Sequence, residues 1–272
     1  MNGFIRKDSR GEFFVDRLQR FPSLVIDEII LAELQGFLDR HFTLGEKGRL
    51  LDLGAGTRPY APVYSAYFSE HYGLDAPGCL HGDGGTDVLG SAENLPFADQ
   101  VFDCIVCTEV LEHLPSPELA LRECSRILKP SGLLFLSTPF LNPLHEIPAD
   151  YFRFTPFALR EMGQRNGLAL MSLAEKGGLG GFSLLFFLYL TLLAGLKVER
   201  WTGIPVFSHR NPLLWLVFFL SQLVYLYLWR RQGKCMQGNL ADVSSWSQTL
   251  SPVTLGYVAI FCKPTLFGDF SC

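Results

Sequence analysis

The chain has 272 residues and a mass of 30.5 kDa, enough for one large domain or two small ones and too long to depend on disulfides or a metal for its core. Apolar residues make up 48%, charged residues only 18%, and the mean hydropathy is +0.20, which excludes a mostly disordered chain and is greasier than one soluble core requires. A net charge of −4 and a pI near 5.9 supply no basic footprint for phosphates, which excludes nucleic acid as the principal partner.

The opening stretch, MNGFIRKDSRGEFF, has no apolar core and no small-residue cleavage site, so it does not read as a secretory signal and a cytoplasmic location is expected. Pro22 to Phe42 carries Leu24, Ile26, Ile29, Ile30, Leu34, Phe37 and Leu38 at helical spacing and predicts an amphipathic packing helix. A short apolar run, RLLDL, then hands over to the glycine-rich turn GAGTRPY. The same grammar repeats. HYGLD predicts a second strand ending at Asp75, TDVLG a short third, VFDCIVC a fourth, GLLFLST a fifth, LALMSLA a sixth and TLGYVAIFCKP the last. Helices are expected from Pro117 to Leu128 and from Thr155 to Asn166. Strands alternating with helices imply right-handed βαβ units and a mostly parallel sheet.

Seven cysteines, at 79, 104, 107, 124, 235, 262 and 272, show no paired metal-ligand spacing and read as a reduced set. Cys104 and Cys107 form a C-x-x-C inside the apolar run VFDCIVC. Residues three apart on a strand point to opposite faces, so the pair reads as two buried structural thiols.

In an open parallel sheet the ligand crevice lies beyond the carboxyl ends of the strands, and the unusual residues fall there. Gly54 and Gly56 leave the backbone bare for close approach, and the chain behind them offers free N–H groups. Thr57, Arg58 and Pro59 stand where a pyrophosphate-binding fingerprint places its third glycine. Asp52, just ahead of Gly54, would repel a pyrophosphate and attract an ammonium group. Asp75, at the end of the second strand, is placed to accept hydrogen bonds from both ribose hydroxyls. Acids on both sides of the turn suit a cationic nucleoside and disfavour a nicotinamide dinucleotide.

With LLDLGAGT, the acid of GLDA, SAENLPFADQVFDCIVCTEVLEHL and RILKPSGLLFLSTP in order between Leu50 and Phe157, the chain resembles the class I S-adenosylmethionine-dependent methyltransferases, in particular the ubiquinone and menaquinone biosynthesis group (methyltransferase type 11). The resemblance implies an α/β, Rossmann-like seven-stranded mostly parallel sheet with helices on both faces, and S-adenosylmethionine as cofactor. Carried over residue by residue, Asp52, Gly54, Ala55 and Gly56 would hold the methionyl end, Asp75 the ribose, Ala92 and Glu93 the adenine, with Thr108 and Glu109 near the sulfonium. Ser91 stands where members often have Asp. Several of these residues also have structural readings: Asp52 as a helix cap, Asp103 as a fixture at the start of its strand, Glu112 as a loop tie and His113 as a packing residue.

Methyl transfer from a sulfonium is an in-line displacement that requires positioning above all, and no metal is expected. An oxygen acceptor also needs a proton acceptor. The aromatic-rich loop TPFLNPLHEIPADYFRFTP supplies catalytic candidates in His145, Glu146 and Asp150, with Tyr151 and Arg153 as acceptor-binding residues. The alternative is a loop bonded to itself, with Arg153 paired to Asp150.

Two uncharged apolar runs, 179–196 and 211–229, explain the high hydropathy. Each would be about 27–29 Å long as a helix, barely a bilayer core. They lie between the sixth and last strands, so both ends of the insertion must return to one place. That permits a hairpin in or on a membrane, or a lid buried within protein, and forbids a single crossing. The expected organisation is an N-terminal helical segment (1–45), a cofactor-binding domain (46–178), a hydrophobic helical hairpin (179–235) and a return segment with the final strand (236–272). The expected function is methylation of a small or lipid-linked acceptor, with membrane association. A non-catalytic, membrane-associated cofactor-binding adaptor is the alternative.

Overall fold

A computed structural model describes residues 5–7, 13–15, 24–78, 85–178 and 254–265, with scattered positions between 180 and 220. Seven strands form one sheet: β3 (Glu46–Leu53), β4 (Phe68–Asp75), β5 (Val88–Leu89), β6 (Phe102–Thr108), β7 (Leu128–Pro139), β8 (Ala169–Glu175) and β9 (Gly256–Cys262). Their order is β5-β4-β3-β6-β7-β9-β8, and only β9 runs antiparallel to its neighbours. All seven expected strands are present.

The central strands are apolar on both faces because both faces are covered, as a parallel sheet requires. Leu50, Cys104, Val106 and Phe135 pack beneath α1 (Leu24–His41), where the Phe37 and Phe135 ring centroids lie 5.4 Å apart. Leu51, Leu53, Ile105, Cys107, Leu134 and Leu136 face the other way, onto α3 (Pro117–Ile127) and α4 (Pro156–Arg165). Cys104 and Cys107 thus belong to opposite faces, and burial pushes both thiols well up. Local chemistry sets where the helices begin. Pro117 and Pro156 occupy their first turns, and the Thr155 hydroxyl caps α4 by accepting the Ala158 amide at 3.1 Å.

Register brings the strand tips level. Leu53 pairs with Leu74 on one side and Cys107 on the other, and Thr108 pairs with Ser137. The chain order reverses between β3 and β6, so the crevice expected of such a sheet opens above these tips. Asp103 serves the opposite end of β6, accepting the Arg49 amide and the Lys129 ammonium.

Two expectations need correction. Residues 1–45 are not only helical, because β1 (Ile5–Lys7) and β2 (Phe13–Val15) pair as an antiparallel ribbon. Ile5, Phe13, Phe14 and Val15 flank the polar, glycine-containing DSRGE, a hairpin signal that helix periodicity overlooks. Cys262 is disulfide-bonded, so the set of thiols is not wholly reduced; spacing alone cannot reveal such pairing. The apolar runs 179–196 and 211–229 lie outside the described residues except at scattered positions, and no helix among the described residues is long and apolar enough to cross a membrane. At the base of the insertion, the Lys176 amide donates to the Gly256 carbonyl at 2.8 Å and the Leu255 amide to the Lys176 carbonyl at 3.1 Å, so the chain leaves and returns at one point.

Candidate active site

The turn after β3 is held by backbone and carboxylate together. Gly54 and Ala55 both donate their amides to the Leu74 carbonyl, and Gly56 donates to an Asp75 oxygen at 2.7 Å. Gly54 (φ 73°) and Gly56 (φ 50°) are left-handed, and a Cβ on Gly54 would lie 2.2 Å from Val110 Cγ2. Glycine is therefore required at position 54 twice over: by its backbone angle and by the loop after β6 that packs on it. The other Asp75 oxygen accepts the Ala76 amide at 2.7 Å. Each carboxylate oxygen has a second lone pair, so Asp75 can still receive ribose hydroxyls.

Asp52 is buried at 3% exposure beneath this turn, and burial raises its carboxyl from 3.8 to about 7 despite a 2.7 Å hydrogen bond from the Tyr64 hydroxyl. It does not serve as the helix cap: α2 (Ala61–Tyr64) has Tyr60 at its N-cap and no side-chain cap. Arg58 takes the place of a third fingerprint glycine with φ 54°. Its guanidinium pins the turn to the neighbouring strand, donating to Asp87 at 2.7 Å and to the His71 carbonyl at 3.1 Å. A Cβ on Gly73 would lie 3.0 Å from Arg58 Nε and 2.6 Å from the Gly85 carbonyl, so Gly73 clears the path for this side chain.

Beyond β6, Glu109 turns back with φ 54° and accepts from the Ser137 hydroxyl at 2.7 Å and the Lys176 ammonium at 2.5 Å. Lys176 is fully buried, and Gly256 makes the room: a Cβ there would lie 2.4 Å from Lys176 Cε. Glu109 is thus fixed by both an adjacent strand and the end of β8. Thr108 sits half-buried at the tip of β6. Ala92 is buried in the loop before β6, whereas Glu93 accepts the Ser116 amide at 2.7 Å and so ties that loop to the start of α3. Arg126 anchors the same loop by donating to the Leu95 and Phe97 carbonyls. Ser91 accepts the Glu93 amide, which makes it a turn residue.

The loop after β7 contains the self-bonded arrangement raised as an alternative. Arg153 grips Asp150 through both oxygens and donates to the Asn142, Pro143 and Phe152 carbonyls. That pairing holds the Asp150 carboxyl well below the usual carboxylate range, so it is a poor base. Asp150 instead orients His145, accepting its amide at 2.9 Å and lying 3.4 Å from its Nδ1. His145 Nε2 is thereby turned toward Glu112, 3.9 Å away, whose other neighbour is His113 Nε2 at 3.6 Å. Glu146 Oε2 is 3.8 Å from His113 Nε2. Tyr151 is half exposed, and its amide donates to the Glu112 carbonyl, stapling the loop over the turn Leu111–His113.

Residue patterns missed the Glu109–Lys176 pair and the centrality of Glu112. Both depend on tertiary approach: Lys176 lies far along the chain, and only the β8–β9 pairing delivers it. Glu109→Gln should cost about 3–5 kcal/mol in urea unfolding, because it leaves a buried ammonium uncompensated, and Lys176→Met should cost less. Equal costs would show that the pair is not held as a buried ion pair.

Residues 51–136 match the Methyltransferase domain family. The chain is 30% identical over 172 residues to the ubiquinone biosynthesis O-methyltransferase of Chromobacterium violaceum, covering 52% of this chain and 72% of that one. It is 32% identical over 123 residues to the uncharacterized methyltransferase YcgJ of Bacillus subtilis, covering 40% of this chain and about half (49%) of that relative. Its fold matches that of a putative sarcosine dimethylglycine methyltransferase from Galdieria sulphuraria with a TM-score of 0.52 at 15% identity, over 96% of this chain and 93% of that one, a likeness of fold alone. The glycine turn between two strand-tip acids is the cofactor cradle that this likeness implies, and the chain belongs to the S-adenosylmethionine-dependent methyltransferases of that family.

Proposed function

We propose that this methyltransferase alkylates an oxygen of a small or lipid-linked acceptor with an apolar body, bound between the tip of β6 and the 140–157 loop. The observation that carries the reading is Glu112, wholly buried with His113 and His145 beside it, at the edge of the same strand tips that hold the glycine turn. Ile147, Tyr151 and Phe152 on the loop, and Phe157 in the first turn of α4, are exposed, an apolar surface suited to the acceptor's body. The ubiquinone biosynthesis O-methyltransferase relative supports an oxygen target.

The cofactor, when bound, supplies an electrophilic methyl carbon on a sulfonium. Asp52 would hold its ammonium group and Asp75 its ribose, while Glu109, fixed by Ser137 and Lys176, sets the wall beside the sulfonium. Proton removal falls to the histidine–carboxylate cluster, with His145 on its open side oriented by Asp150. Arg153 keeps that loop in place instead of contacting the acceptor. The cofactor-binding unit spans 46–178 and is completed by the final strand, with 179–235 as an insertion that presents lipophilic acceptors from a membrane surface.

Two outcomes test this reading. In the empty protein the fold favours the acid form of Asp52; that stabilisation is fully present below its ordinary value and is lost as pH rises through about 7. A bound ammonium reverses the preference. S-adenosylmethionine affinity, measured by calorimetry, should therefore weaken about tenfold from pH 8 to pH 6, and Asp52→Asn should bind weakly at both. A flat profile in the wild type removes Asp52 from the ammonium site. Second, incubating lipid extracts with the protein and cofactor should yield a species one methylene heavier by mass spectrometry. His145→Ala should lower its yield about 10²-fold or more while cofactor affinity stays nearly unchanged. An unchanged yield removes His145 from the chemistry.

A further inference from the structure

Glu112 is an anomaly that proton transfer alone does not explain. Its side chain is 0% exposed, and neither carboxylate oxygen has a hydrogen-bond partner among the described residues. Burial, with Glu109 adding repulsion, drives its carboxyl well above the ordinary range. A bare carboxylate in that position is costly unless something positive meets it.

What surrounds it is a set of nitrogen and oxygen donors. One atom each from Glu112, His113 and His145 lie within 4.8 Å of one another. The imidazole planes meet nearly at right angles, 82°, with centroids 4.9 Å apart, so the two rings converge edge to face. Each histidine is also oriented from behind. His113 Nδ1 faces the Ala149 carbonyl at 2.5 Å, and His145 Nδ1 faces the Pro143 carbonyl at 3.2 Å and Asp150 at 3.4 Å. In the tautomer that donates the Nδ1 proton to these oxygens, each Nε2 carries a lone pair on the side of Glu112, 3.6 and 3.9 Å from its Oε1. Backbone carbonyls and carboxylates behind imidazoles are the usual supports of metal-binding histidines. The donor separations, 3.6 Å from Glu112 to His113, 3.9 Å from Glu112 to His145 and 3.8 Å from His113 to Glu146, are at or a few tenths of an ångström above the roughly 3.3–3.6 Å that four donors adopt around a tetrahedral cation with bonds near 2.0–2.2 Å.

We infer that Glu112, His113 and His145, with Glu146 beside them, form a binding site for a divalent transition cation of the zinc or manganese kind. Two imidazoles with carboxylates select such an ion over magnesium or calcium. The inference deepens the oxygen-methylation reading and rests on it for the ion's role. Coordinated to the cation, the acceptor hydroxyl becomes more acidic. Its proton passes to Glu146 and on to solvent, the new oxygen–carbon bond forms as the carbon–sulfur bond breaks, and the electron pair of that bond goes to sulfur. His145 is then a ligand, and the cation does the acidifying. No oxidation state changes.

The test uses the full chain, stripped with a chelator and titrated calorimetrically with zinc or manganese chloride alone. One equivalent should bind with saturation below about 1 mM. Glu112→Gln and His145→Ala should each weaken binding at least about 100-fold. S-adenosylmethionine titrations of the same samples report separately on the cofactor cradle: retained cofactor binding without any metal binding overturns the cation site and leaves the methyltransferase reading standing. Cobalt chloride supplies a check that needs no variant, since a bound ion gains visible absorption that one equivalent of zinc displaces. Absence of that absorption, or metal binding indifferent to both substitutions, overturns the inference.

Discussion

The Asp75 carboxylate, by accepting the Gly56 amide at 2.7 Å, fixes where the glycine turn ends and so where everything above the sheet stands. Parallel strands deliver their tips at one level but leave the connecting backbone free to wander. Here a charge-assisted hydrogen bond from one tip to the next turn removes that freedom. Arg58 then locks the turn from the far side, and Val110 packs into the space that Gly54 leaves. A backbone this constrained approaches a ligand at no further ordering cost, which is what a cradle for a nucleoside requires.

Charge is the second organising fact. Asp52, Asp75, Glu109 and Glu112 gather at the tips of β3, β4 and β6, while Arg58 and Lys176 stand behind them. The basic groups are committed to holding the fold. The acids are answered only in part: Asp52 is driven up to about 7 by burial, and the Glu112 carboxylate has no hydrogen-bond partner among the described residues. A site that buries two acids at separated points, each costly to ionise alone, favours positive ligands at both. A sulfonium with an ammonium would answer the first, and the proposed divalent cation the second. The methyl donor and the activated oxygen would then meet between them, near Glu109.

Much of this was legible in the residue pattern. The central strands follow from apolar runs such as VFDCIVC and GLLFLST, because a sheet covered on both faces must be apolar on both faces. The positions of Asp52 and Asp75 at the strand tips on either side of the glycine turn were readable from the residue order. What escaped were features made by distance along the chain. The opening ribbon is short, and its hairpin signal lies in residues with no helical period. Lys176 meets Glu109 only once β9 has returned to β7 and β8. Glu93 reads as an adenine contact yet spends a carboxylate oxygen on the Ser116 amide, and Arg153 reads as an acceptor ligand yet clamps its own loop. His113 looks like a packing residue until the 140–153 loop folds back and sets His145 beside it.

The account stands or falls on whether carboxylates at neighbouring strand tips grip a cationic nucleoside. Calorimetric titration of Asp75→Ala with S-adenosylmethionine, beside the wild type at pH 8, reads that grip directly. Loss of the carboxylate should weaken binding at least about tenfold while the sheet still unfolds cooperatively, since both the ribose contact and the Gly56 tether vanish. Equal affinity in the two proteins would contradict it.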